Sequence, residues 1–161
     1  MTTDPRARRS PAVRVAVLVL CALIGLLAVR VLLTFVLMDS LLDLRRADYF
    51  GGGNEVIADT DFGRSIIENW RPDYIRHALF LFAIPAVLLA LCAVFVAKGA
   101  RWVRITGVVI SVLILAASLS AIFLARPYTV PFNVIDALIA VTAVGAIVYL
   151  ILAGRKEPVS Y

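Results

Sequence analysis

The stretch I24-G-L-L-A-V-R-V-L-L-T-F-V-L-M38 decides what kind of molecule this chain makes. It is part of an apolar run that spans about Val13 to Met38, and it holds one arginine, Arg30, in its outer portion. A helix crosses the hydrocarbon of a bilayer with about 20 apolar residues at 1.5 Å each. This run is long enough. A secretory signal has an apolar region of only about 7–15 residues and a small-residue cleavage site. Nothing resembling A-x-A ends the run, and "LVL" before Cys21 lacks the small residue of a lipoprotein signal. The segment therefore reads as a retained span.

Three more runs of the same kind follow, at about His77 to Ala97, Ile105 to Ala125 and Val134 to Ala153. Together they account for a 161-residue composition that is 62% hydrophobic and only 17% charged. Soluble domains sit nearer half apolar and a quarter charged. The expected fold is all-α: a polytopic membrane protein, one four-transmembrane-helix bundle over residues 1–161, with a long extracytoplasmic loop between helices 1 and 2.

The formal charge of +5 does not point to nucleic acid. Arg6, Arg8, Arg9, Arg14, Lys98, Arg101, Arg104, Arg155 and Lys156 all flank apolar runs, and with four spans they fall on one side. Only Asp4 and Glu157 oppose them there. Excess Lys and Arg marks the cytoplasmic side, so both termini are expected in the cytoplasm of a cell (plasma) membrane protein. The lipid bilayer is then the first partner.

The outer loop, Asp39 to Arg76, holds eight of the eleven acidic residues. "DSLLDLRRADYF" and "DTDFGRSIIENW" open with helix-capping residue types and carry apolar side chains at helical spacing, such as Ile66, Ile67 and Trp70. "GGGN" separates them as a flexible break. Two short helices lying on the outer surface are expected. They would be either a lid or docking cap for another membrane or extracytoplasmic protein, or a solvated hairpin with its apolar side in the lipid interface. The amphipathic pattern alone favours the second. Trp70 and Trp102 are candidate headgroup-level anchors.

Depth places the polar residues of the spans. Counted from Val15, Arg30 lies roughly 22 Å along its span, in the outer third of a core about 30 Å thick. Counted back from Ala153, Asp136 lies roughly 25 Å along, and Ser120, counted from Ile105, roughly 22 Å. His77 heads the second span. Arg30, Asp136, Ser120 and His77 thus form a candidate polar layer. Intramembrane charges usually face the bundle interior and pair, so an Arg30–Asp136 ion pair is one reading. The other has Arg30 snorkelling to the interface and Asp136 capping its helix. The marginal depth tips slightly to the second.

Cys21 and Cys92 both lie in apolar runs with no CxxC, as buried small side chains would. There is no HExxH, no Ser–His–Asp set, and "GGGNEV" lacks the spacing of a phosphate loop. No catalytic residue, metal or cofactor is indicated, and an enzyme is not expected. Pro85 should kink the second helix. The small residues of "GVVIS", "AASLSA" and "TAVGA" allow close helix packing, within a monomer by default or in a homo-oligomer.

The four spans, the long first outer loop and "GARWVRITGVVISVLILAASLSA" resemble small four-helix integral membrane proteins, uncharacterised, of actinobacteria. That resemblance implies the layout and brings no activity with it. Small multidrug exporters place a membrane-embedded Glu in their first span where this chain has Arg30. Quinone-dependent thiol oxidoreductases need a CxxC. Two functions stand: a non-enzymatic accessory or scaffold subunit that meets a partner through its outer loop, and a small-solute or anion transporter using the polar layer. A transporter should open that layer to water, and a scaffold should bury it.

Overall fold

The computed structural model describes residues 11–51, 60–98, 100–124 and 130–155. The basic N-terminal tail up to residue 10, the glycine break at 52–54, the first half of the 126–133 link and the C-terminal tail from residue 156 lie outside the described residues. Six α-helices carry the described chain: α1 (Pro11–Val36), α2 (Met38–Phe50), α3 (Asp61–Ala78), α4 (Ile84–Ala97), α5 (Arg101–Leu124) and α6 (Val130–Arg155), with a π turn at Leu79–Ala83 between α3 and α4. Four helical stretches are long and apolar enough to cross a membrane: Pro11–Val36, Asp61–Ala97, Trp102–Phe123 and Val130–Ala153.

Segment 39–76 is helical in its described residues, and its helices run on from the spans instead of standing apart as surface elements. The chain passes from α1 to α2 through Leu37 alone, and helical bonds cross it, Leu37 N–H to the Leu33 carbonyl and Leu41 N–H to that of Leu37, both at 2.9 Å. Helix α3 starts where the capping residues put it: the Thr60 hydroxyl accepts from the Gly63 N–H at 3.1 Å. It then continues into the second span through the π turn. Pro85 explains that turn. Its ring has no N–H and would collide with the carbonyl four residues back. The chain widens just before it, so that the Ile84 N–H bonds the Leu79 carbonyl five residues back.

The α2–α3 hairpin has its own small core. Phe50 and Trp70 are buried there, with Leu42, Ile66, Ile67 and Tyr74 against them. The Tyr49 and Trp70 rings meet edge-on at 5.8 Å, and the Arg45 guanidinium lies 4.9 Å from the Trp70 ring centre. Trp70 is thus a core residue and not the interfacial anchor that its sequence suggested. The aromatic cluster of Tyr49 and Phe50, brought across by the hairpin, is a better fit for its ring than lipid headgroups are. Trp70→Ala should loosen the hairpin by roughly 3 kcal/mol, the low end for a buried Trp. Amide hydrogen exchange should then speed up in α2 and α3 while α5 and α6 stay protected. Uniform acceleration would contradict the separate core.

The bundle core runs from Val13 to Ala153 through all four spans. The most extensive packing is between α5 and α6, and small residues serve it. A methyl group added at Gly107 would stand 3.1 Å from Leu150, and Ala143, Ala146 and Ser111 are fully buried. At the end where both termini emerge, the buried Arg104 donates to the Ala153 carbonyl at 3.1 Å. A cation from α5 beside the last turn of α6 suits the carbonyls at that helix end. Arg104 therefore ties two helices together, beyond the topological role its sequence position suggested.

Candidate functional site

Arg30 and Asp136 come from the first and last spans, 106 residues apart, and meet inside the bundle. The Arg30 Nε donates to Asp136 Oδ1 at 2.8 Å. One turn on from Arg30, on the same face of α1, Thr34 accepts from Nη1 at 3.0 Å, while its own hydroxyl donates to the Arg30 carbonyl at 3.1 Å. One turn before Asp136, on the same face of α6, Phe132 places its ring 4.2 Å from the guanidinium carbon. Phe82, in the π turn, places its ring 4.9 Å away.

The guanidinium is therefore engaged at its edges by oxygen and over its plane by aromatic rings. Arg30 is 5% exposed, Asp136 1% and Thr34 3%. In such surroundings the attraction between opposite charges is much stronger than in water, and so is the penalty for separating them. Rings over a desolvated cation add to its stabilisation. The snorkelling arrangement of Arg30 is not the one adopted: the side chain turns into the bundle.

The other members of the expected layer do not join it. Ser120 is exposed on α5, because the buried stripe of that helix runs through Val103, Gly107, Ile110, Ser111, Ile114 and Ser118. Ser118, two residues earlier and fully buried, occupies the inward face instead. His77 is exposed, with Nδ1 2.7 Å from the Asp73 carbonyl on its own helix. Trp102 is 64% exposed and rests against Phe95 with ring centres 6.1 Å apart, a surface position suited to headgroup level. Cys21 is exposed on the outer face of α1, contrary to the buried position expected, while Cys92 is buried.

Thr34, Phe82 and Phe132 are the site residues that the sequence reading missed. Thr34 and Phe132 carried a usable signal, since each stands one helical turn from a charged residue on the same face. Phe82 carried none, because its orientation depends on the π turn. Among the described residues, no three His, Cys, Asp or Glu side chains gather as a metal site. What the arrangement can do is hold three helical stretches together around one buried cation. The chain matches no protein family, no curated protein and no solved structure.

Proposed function

We propose that this multi-pass membrane protein is a non-enzymatic accessory or scaffold subunit of the plasma membrane. Both termini face the cytoplasm, and the α2–α3 hairpin meets a partner protein on the outer side. The observation that carries the reading is the burial of the Arg30–Asp136 pair, with Arg30 5% and Asp136 1% exposed. A solute site must be reached by water at some stage, whereas a structural fastening gains from being dry. The partner reading draws on the hairpin, which has its own core and still presents Tyr49 and Phe62, 59% and 69% exposed, on its surface.

Affinity purification of the tagged chain from native membranes in mild detergent, followed by mass spectrometry, tests this. A stoichiometric partner should co-purify and be lost on Phe62→Asp, a change on an exposed side chain that leaves the hairpin core intact. Recovery of a monomer or homo-oligomer alone would overturn the accessory reading. Transport of an anion past Arg30 would then be the function to test. Periplasmic and cytoplasmic reporter fusions at residues 52 and 161 test the orientation independently.

A further inference from the structure

We propose that the α2–α3 hairpin pivots as a unit on two adjacent hinges, Leu37 and the π turn Leu79–Ala83, and that the Arg30 side chain latches it in the position observed. The hairpin and the bundle have separate apolar cores that share no residue. Only two strands of chain connect them, and each is irregular at the junction. On one strand, Leu37 leaves helical geometry, with φ −101° and ψ 18°, between α1 and α2. On the other, the π turn interrupts the helix between α3 and α4. Hinges are a few element-terminal residues that absorb backbone rotation between packed bodies, and π turns inside long helices often mark functional positions.

The latch follows from what Arg30 touches. Thr34, held by Nη1, lies three residues before Leu37. Phe82, over the guanidinium, is itself part of the π turn. Asp136, bonded to Nε, anchors the cation to α6, which belongs to the bundle alone. Arg30 and Thr34 both lie on α1, before Leu37, so the restraint acts through Phe82: one side chain of α1 holds the π turn and is itself fastened to α6. A tilt of the hairpin that unwinds or moves the π turn must carry Phe82 off the cation. The inference rests on this geometry and not on the partner reading, since a hairpin that binds nothing can still pivot.

Spin-label distances test it in the full chain reconstituted in nanodiscs, with Cys21→Ser and Cys92→Ala removing the native thiols. Labels at Ser65→Cys and Val148→Cys report hairpin against bundle, and labels at Asp43→Cys and Ser65→Cys report the hairpin internally. All three positions are exposed. The parent chain should give one narrow distribution for each pair. Phe82→Ala should widen the hairpin–bundle distribution and shift it by a few ångström, the scale of helix movements at packed interfaces, with the internal distance unchanged. Phe82→Leu keeps apolar bulk and removes the ring, so it serves the same purpose if the alanine variant does not fold. An unchanged hairpin–bundle distance in the folded variant overturns the latch. A change in the internal distance overturns the rigid pivot, because the hairpin would then be melting instead of turning.

Discussion

Arg30→Ala should destabilise the bundle by about 3–5 kcal/mol, the range for removing one partner of a buried ion pair. The loss arises less from the missing attraction than from what remains, an Asp136 carboxylate 1% exposed inside the bundle without the guanidinium it was bonded to. Asp136→Ala should be of similar size, since it removes the buried carboxylate bonded to the Arg30 Nε. Joining both changes, Arg30→Ala with Asp136→Ala, should cost clearly less than the sum of the two, because neither charge is then left buried without the other. Reversible unfolding in mixed micelles, followed by circular dichroism, measures the four corners of this cycle. Strictly additive effects would show that the two side chains do not act on each other.

Phe132→Ala is the second large effect. The ring is fully buried and is the bulkiest side chain in the fully buried core. Its truncation opens a cavity and removes one face of the cation's surroundings, and should lower stability by roughly 3–5 kcal/mol. Phe132→Leu separates the two contributions. It retains most of the packing but presents no π face, so its effect should be nearer about 1–2 kcal/mol, the range for a cation–π contact at a partly to fully desolvated site. Equal losses for the two variants would assign the whole effect to the ring's π face and none to its volume. No loss for leucine would remove the cation from the account.

The span count was legible because apolar length is a one-dimensional property. Four runs long enough to cross a bilayer stand out whatever the helices do next. The inward face of each run was not legible. Soluble helices mark it by amphipathicity, but a span is apolar all round and its pattern does not choose a side. That is why counting depth selects Ser120 although the buried serine is Ser118, two residues away and on the opposite face of α5, and why Cys21 reads as buried from sequence. Arg30 and Asp136 were legible as candidates because charge in a span is rare and depth follows from counting. Their bond was not, since a marginal depth suits snorkelling as well as pairing. The hairpin was half legible: helical spacing and the Thr60 cap marked the helices. That α2 and α3 would prolong the spans and bury Trp70 depended on Leu37 and the π turn, for which only Pro85 gave notice.

The sequence separation of Arg30 and Asp136 has a bearing on how the chain is made. Translation proceeds at about 5–20 residues per second, so the 106 residues between them take roughly 5–20 s to synthesise. During that interval the first span carries a guanidinium whose counter-charge does not yet exist, in a medium that disfavours it. The α5–α6 pair, by contrast, lies close in sequence and can form as soon as its second helix emerges. Biogenesis of this bundle therefore ends with the joining of its first and last helices, and a chain truncated before α6 lacks the Asp136 carboxylate through which they are bonded.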